Sequence, residues 1–344
     1  VHAKNESKRE AARVYKSGRF STTQHGDSPG KLCISRCFKP GLAKTCEASI
    51  PARRIDMALS YYNSIDDLLG RRETRYFGNG YINTTRSVSD FECFETDTGL
   101  QFSCVAALEL PSLWSAKGDS KQKPHLSSID VIELATECTR RVFHQVFGGR
   151  EFSLESIRKL LVGAGSEPVE EALDAISITG VASRLPDGAY HLRAQISSMS
   201  VDVTFSAREE GRPRMTGENR NPISIENVTL NRNALTASAI VLPFQESHDD
   251  SWSLSDCFAS VAQVGQALLY NLDGIVREAS NTLWMRKISM TLFSGIPECN
   301  MPQPLYVRLD NSKKLKLGND YWRSADVFCI FCNTNIVCRV AHKL

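Results

Sequence analysis

Two stretches of this chain carry apolar residues at helical spacing, and much of the remainder alternates apolar and polar as strands do. The first starts after Ser127 or Ser128 and runs to Gly148. Val131, Ala135, Cys138, Val142 and Val146 form its stripe, with Ile132 and Phe143 beside it. A stripe that broad predicts a mostly buried helix. The second, Asp256 to Tyr270, has Phe258, Val261, Ala262, Leu268 and Leu269 on one side. Strand alternation runs through Phe102, Cys104, Ala106, Leu108 and Leu110 to Trp114, and again through residues 189 to 207. It returns in Ile223 to Leu230, Leu235 to Leu242, Trp284 to Leu292, Leu305 to Leu309 and Tyr321 to Val340. Shorter helices are predicted over Ser64 to Gly70, with Ser64 as cap and Gly70 as stop, over Ser153 to Leu161, and over Ser166 to Ile176 with Pro168 in its first turn.

Strand, buried helix, long strands: the order occurs twice in tandem. It predicts an α+β double hot-dog, two antiparallel sheets each wrapped around a central helix. Residues 57–210 make the first unit and 211–344 the second, joined through Glu209 to Arg214. Each helix starts at an acid, Asp130 or Asp256, and the duplication predicts that the two polar clusters face one another. Tyr76-Phe77-Gly78-Asn79-Gly80-Tyr81 interleaves glycines with rings, a pattern for positive φ or close backbone approach under aromatic cover.

Composition changes this picture at one end. Of 344 residues 42% are hydrophobic and 23% charged, a globular balance. The net charge of +2 conceals 12 Lys/Arg against 5 Asp/Glu in residues 1–56 and the opposite bias afterwards. Residues 1–56 therefore read as a basic leader, disordered or not native, with folding expected from about Met57. The body gives no electrostatic reason to bind nucleic acid. No run of about 18 apolar residues suggests a membrane span, and no signal-peptide core is apparent, so the expected location is the cytoplasm. Eleven cysteines include Cys33, Cys37 and Cys46, and Cys329, Cys332 and Cys338. Each trio lacks a nearby fourth ligand for a closed zinc site, which favours reduced core thiols.

The chemistry is expected at the helix starts, where unpaired N–H groups and a positive dipole end favour an oxyanion. His125, at the entry to the first helix, is the candidate acid/base residue, or else a loop hydrogen-bonding group. Asp130 and Asp256 are catalytic candidates with helix capping as the alternative. Gln263 and Gln266 share a face with Asp256 and suit a carbonyl or hydroxyl. Trp284 offers cover for an acyl chain and Arg286 a fork for phosphate, carboxylate or β-keto oxygen, against a core and an edge-strand role respectively. Tyr81 completes the candidate substrate-binding set. Phosphate loops, HExxH and GxSxG motifs are absent.

Ser64-Ile65-Asp66-Asp67-Leu68-Leu69-Gly70, Arg75 to Tyr81, Pro124-His125-Leu126-Ser127-Ser128-Ile129-Asp130 and Asn281-Thr282-Leu283-Trp284-Met285-Arg286, in this order, resemble the avirulence D proteins of plant-pathogenic pseudomonads. The resemblance runs from about Met57 to the C-terminus. It implies an enzyme of syringolide synthesis, which joins a β-ketoacyl chain to the ketopentose xylulose to make an elicitor of the plant hypersensitive response. The A-factor synthesis proteins of streptomycetes, double hot-dog β-ketoacyl transferases, are similar in logic. The implied substrates are a β-ketoacyl thioester of coenzyme A or of an acyl carrier protein, and a ketopentose. No metal or redox cofactor is expected, no nucleic-acid or membrane partner, and a monomer or homodimer. In the expected mechanism His125 deprotonates a sugar hydroxyl and Asp256 orients base or sugar. The alternatives are a dehydratase or hydratase using His125 and Asp256 as an opposed pair, and a non-catalytic small-molecule-binding or effector protein.

Overall fold

Period-two burial and two long capped helices account for nearly all of the regular structure in a computed structural model, which describes residues 58–148, 150–207, 222–243, 252–280, 283–293 and 301–344. The leader of residues 1–56 with Cys33, Cys37 and Cys46, the linker Glu209 to Arg214, and Asn281 and Thr282 lie outside the described residues. The first part of the chain forms β1 (Leu59–Ser64), α1 (Asp66–Leu69), β2 (Thr85–Thr96), β3 (Gly99–Glu109), β4 (Ala116–Lys117), β5 (Ser120–Lys121), α2 (Ser128–Phe147), β6 (Ile157–Gly163), β7 (Ile176–Arg184), β8 (Tyr190–Ile196) and β9 (Met199–Phe205). The second forms β10 (Ile223–Asn231), β11 (Thr236–Pro243), α3 (Leu254–Asp273), β12 (Trp284–Leu292), β13 (Gln303–Leu317), β14 (Asp320–Phe331) and β15 (Thr334–Lys343).

Thirteen strands join in one antiparallel sheet of order β1-β10-β11-β13-β14-β15-β12-β6-β9-β8-β7-β3-β2. The seam is β12 against β6, paired from Lys287↔Gly163 to Thr291↔Lys159. Outward from it the order is β6, β9, β8, β7, β3, β2 in one direction and β12, β15, β14, β13, β11, β10 in the other, so the two halves correspond strand by strand. Their irregularities correspond as well. The seam strands each carry a bulge, between Ile157 and Lys159 in β6 and between Met285 and Lys287 in β12. The outer strands β2 and β10 are bulged at Ser89/Glu92 and Glu226/Thr229. There Asp90 and Asn227 take φ of 51° and 54°, a left-handed conformation that Asp and Asn tolerate better than most residues.

Each half cradles its helix. α3 packs on β10, β11, β13, β14 and β15, and α2 on β2, β6, β8 and β9. Strands lie about 4.8 Å apart, so a helix about 10 Å wide reaches five of them only where the sheet curls around it. This is the hot-dog arrangement. The expectation of two separate sheets is corrected, because backbone hydrogen bonds run through the seam without a break. β1 also crosses the expected boundary at residue 210: it pairs with β10, Leu59 opposite Asn231, and so belongs to the second half's edge.

α3 is buried along almost its whole length, including Phe258, Val261, Val264 and Leu268, each without exposed surface. Gly265 lets it press onto β14: a Cβ there would stand 2.7 Å from Cγ1 of Val327. Valine is stiff at χ1 and cannot swing aside. Gly265→Val is therefore expected to destabilise the fold by about 1–3 kcal/mol, read as a lower urea midpoint with unchanged slope.

The helices expected over Ser153–Leu161 and Ser166–Ile176 do not form. Leu154–Ser156 is a single 3₁₀ turn, and β6 follows at once. The second segment docks through its backbone instead: the Val169 carbonyl accepts from Leu126 N at 2.8 Å and the Leu173 carbonyl from Leu108 N at 2.8 Å. The helix at Ser64 shrinks to α1, where the Ser64 hydroxyl accepts from the Asp66 amide at 3.1 Å and Gly70 stops the turn with φ of 75°. Strand β3 ends at Glu109, short of Trp114. Among the described residues no helix is long and apolar enough to cross a membrane. Cys329, Cys332 and Cys338 are buried thiols, and no group of three metal-type side chains is assembled among the described residues.

Candidate functional site

Both long helices begin with the same device. At α2 the Ser127 hydroxyl accepts the Asp130 amide at 3.3 Å while Asp130 Oδ2 accepts the Ser127 amide at 2.9 Å. At α3 Ser253 and Asp256 repeat the exchange at 3.0 and 3.2 Å, and the Ser253 hydroxyl also bonds Asp256 Oδ2 at 2.6 Å. Reciprocal bonds of this kind satisfy two of the amides a helix start leaves unpaired.

A short turn ties the two starts together. Tyr76–Gly80 is one π-helical turn closed by Tyr81 N to Tyr76 O at 2.9 Å. Gly78 is required there by close approach rather than by positive φ, since a Cβ would lie 2.5 Å from the Arg72 carbonyl. From this turn the Tyr76 hydroxyl donates to Asp130 Oδ1 at 2.5 Å and the Tyr81 hydroxyl to Asp256 Oδ1 at 2.7 Å. Asp130 also receives Arg86 Nε at 2.9 Å and has no exposed surface. Burial and the Asp130 charge together push the Tyr76 phenol far above its ordinary range.

The structure places Asp130, Asp256 and Tyr81 apart from the cavity lining. The two carboxylates are committed to caps and tyrosines, and Tyr81 is fully buried as their strap. The polar clusters are bridged through the turn; they do not face one another across open space.

The cavity lies beside α2's first turn and against the middle of α3. Its volume is about 370 Å³, within reach of the range used for small-molecule sites. His125, Gln263, Gln266 and Trp284 all line it, so the structure brings together four of the eight expected residues. Ser127 and Ser128 bring the α2 N-terminus to its wall, whereas α3 contributes its third turn and not its start. Trp284 joins Val162, Met199, Leu283, Met285 and Ile288 in an apolar wall. Arg286 is turned out: it occupies the β12 bulge, is exposed, and does not line the cavity. His248, Asp249 and Asp250 lie outside the described residues.

His125 is held in one orientation. Its Nδ1 lies 3.2 Å from the Lys123 carbonyl, and its ring meets Trp114 edge-on at 4.6 Å, with Trp114 in turn stacked on Tyr76 at 4.9 Å. A carbonyl only accepts, so Nδ1 carries the hydrogen and Nε2 is the basic nitrogen of the neutral ring. Burial lowers the His125 pKa from 6.5, against weaker upward pulls from the Lys123 carbonyl, Glu170 and Asp130. Gln263 is 2% exposed, donates to the Ala259 carbonyl at 3.3 Å, and has no partner for Oε1 among the described residues. Gln266 is engaged with the Tyr270 hydroxyl at 2.8 Å.

Sequence reasoning missed the cationic wall. Arg75, Lys117 and Arg277 line the same cavity. Arg277 donates to the Ala116 carbonyl at 2.6 Å from 161 residues away, a closure that no local pattern announces. Arg75 stood next to the glycine-aromatic turn and was the one member with a signal. The site thus offers a neutral imidazole base, an amide oxygen, an apolar wall of acyl-chain character and a basic wall.

Among solved structures, the chain is similar to an acyl-CoA thioesterase II from Mycobacterium marinum, at 9% identity and a TM-score of 0.34 over 74% of this chain and 96% of that one. It is similar also to a hot-dog protein of unknown function from Alicyclobacillus acidocaldarius, at 8% identity and 0.37 over 74% and 96%. A third is the dehydratase domain from the CurJ module of curacin polyketide synthase, at 9% and 0.40 over 74% and 96%. No curated protein matches the sequence. The family described as Pseudomonas avirulence D protein (AvrD) matches residues 60–203 and 227–344, covering both helices, the tyrosine turn and His125, and the chain belongs to that family.

Proposed function

We propose that this chain is a double hot-dog acyltransferase that moves a β-ketoacyl group from a thioester to a hydroxyl of a ketopentose, in syringolide-type elicitor synthesis. The strand-by-strand duplication about the β12–β6 seam supports the double reading. Membership of the avirulence D family supports the product class.

The observation that carries the chemistry is an imidazole base, His125, in a cavity with an apolar wall. The acyl chain lies along Trp284, Met285 and Ile288, and Gln263 Oε1 receives an acceptor hydroxyl. His125 Nε2 takes the proton of the attacking hydroxyl as oxygen bonds to the thioester carbonyl carbon. The oxyanion is stabilised at the α2 N-terminus beside Ser127 and Ser128. Collapse breaks the carbon–sulfur bond, the proton passes from His125 to the departing sulfur, and ester and free thiol are the products. Dehydration calls for a second acid/base group opposite the histidine, and Asp256, the residue expected to supply it, is held by Ser253 and Tyr81. Transfer is accordingly the better reading.

Purified protein incubated with a β-ketoacyl thioester and xylulose is expected to yield an acylated ketopentose and one equivalent of thiol by mass spectrometry. A sugar-independent enoyl product, or no product with either substrate, defeats the proposal. The pH dependence adds a second check. Because burial favours the neutral ring, the base form persists below the ordinary histidine value, and kcat/KM is expected to fall on the acid side with a midpoint below 6.5. An acid limb above that value would assign the base elsewhere.

A further inference from the structure

Two amide side chains of α3 line the cavity, Gln263 and Gln266, neighbours on one face of the helix. Which atom each amide offers is decided by its surroundings. Gln263 Nε2 donates to the Ala259 carbonyl at 3.3 Å. A backbone carbonyl only accepts, so the nitrogen is fixed there and Oε1 is the atom left over. The side chain is 2% exposed, and that oxygen has no partner among the described residues.

Gln266 is set by a chain of hydroxyls. Its amide lies 2.8 Å from the Tyr270 phenol, and the phenol 2.8 Å from Ser280 Oγ. Ser280 Oγ is also 2.7 Å from the Arg277 carbonyl and 3.2 Å from Lys117 Nζ. Serine has a single hydroxyl hydrogen and the carbonyl has none, so that hydrogen goes to the Arg277 carbonyl. The lysine ammonium donates to one lone pair of the serine oxygen, which leaves the other for the phenol hydrogen. Tyr270 then has no hydrogen for Gln266 and must accept from it. Nε2 is thereby fixed on the phenol, and Oε1 is turned away from it. The phenol itself is held, 3% exposed and with its ring 5.8 Å from that of His342.

Two amide oxygens whose Cβ atoms are about 5–6 Å apart make a face that accepts and does not donate. An anion gains nothing there, and a hydrocarbon leaves the Gln263 oxygen unpaired. A neutral molecule with two hydroxyls, as on a sugar chain, satisfies both. A site built around a hydroxyl rejects an analogue without it far more strongly than an apolar pocket rejects a missing methylene, because a buried polar group is left without its bond.

We infer that Gln263 and Gln266 read two hydroxyls of the acyl acceptor, and that Tyr270, tied to Ser280, is the positioning residue that makes Gln266 an acceptor. The site thereby selects a polyol over a simple alcohol. This rests on the cavity's being the substrate site proposed above.

The test compares kcat/KM for xylulose and for hydroxyacetone, which carries one hydroxyl, using the full chain and one β-ketoacyl thioester. The expected result is an advantage of at least about 10-fold for xylulose in the wild type, which Tyr270→Phe removes through a higher KM for xylulose. Adding Gln266→Glu to Tyr270→Phe is the rescue. Both oxygens of a carboxylate accept, so no positioning is needed and the advantage is expected to return. Equal values for the two acceptors in the wild type overturn the inference, as does a Tyr270→Phe loss that falls equally on both acceptors and is not rescued. Calorimetric titration with xylulose and with hydroxyacetone, without donor, reads the subsite apart from the chemistry. Tighter xylulose binding that Tyr270→Phe abolishes, with no ester product from the wild type, keeps the subsite and removes the transferase. Ester formation indifferent to the second hydroxyl keeps the transferase and removes the subsite.

Discussion

His125→Gln is expected to lower kcat/KM for ester formation by about 10²–10⁴-fold, the usual contribution of a positioned general base. Glutamine keeps a polar side chain of similar reach but cannot accept a proton at neutral pH. The fold should hardly notice, because His125 is only partly buried and its one hydrogen bond, to the Lys123 carbonyl, lies within its own loop. The ring's contact with Trp114 limits the structural cost to the loss of a single edge-on packing contact. A thermal midpoint within a few degrees of wild type, alongside the rate loss, separates chemistry from folding. Full activity in this variant would leave the cavity without a base.

Asp130→Ala acts in the opposite way, on folding before function. The substitution takes the carboxylate from the Arg86 guanidinium, 11% exposed, which keeps the neutral Thr84 and Tyr81 carbonyls, and takes the acceptor from the Tyr76 hydroxyl and the Ser127 amide. Removing one partner of a buried ion pair costs about 3–5 kcal/mol, a large part of the 5–15 kcal/mol by which domains are ordinarily stable. Asp256→Ala is the internal control. Among the described residues its partners are Ser253 and the Tyr81 hydroxyl, with no hydrogen-bonded cation, and about 1–2 kcal/mol is expected for the lost cap. Urea unfolding of the two variants side by side checks the ranking. Equal losses would mean that Arg86 contributes nothing at Asp130.

The contrast between these acids also shows what was legible in the sequence. Both long helices were, because twenty residues of apolar period leave little ambiguity and Ser127 and Ser253 mark their starts. Their function-like acids were not, since Ser-x-x-Asp before an apolar run describes a capping box and a helix-start active site equally well. Only the tyrosine hydroxyls, arriving from the turn at 76–81, decide between them. β6 was concealed by its bulge. With Arg158 and Lys159 both exposed, the inward positions Ile157 and Leu160 fall three apart, which imitates a helix. β2 hid for a related reason, being a bulged edge strand with no residue fully buried. Trp284 and Arg286 illustrate the limit of alternation: the bulge between Met285 and Lys287 places Trp284 at the cavity and Arg286 in solvent. The cationic wall depended on contacts across some 160 residues, and these exist only once the sheet has closed.

β1 gives the molecule a latch. Leu59 to Ser64 is laid beside β10, whose partner positions run from Asn231 back to Glu226, so the chain's earliest described strand finishes the edge of the half that is translated last. A ribosome that has released everything up to β9 still holds β1 without a neighbour, and β10 must emerge before that strand finds its place. Cutting the polypeptide between the repeats would consequently not give two independent proteins. The later fragment would present an unpaired row of amides and carbonyls along β10, an invitation to clump with its own kind until the earlier fragment returned to cover it.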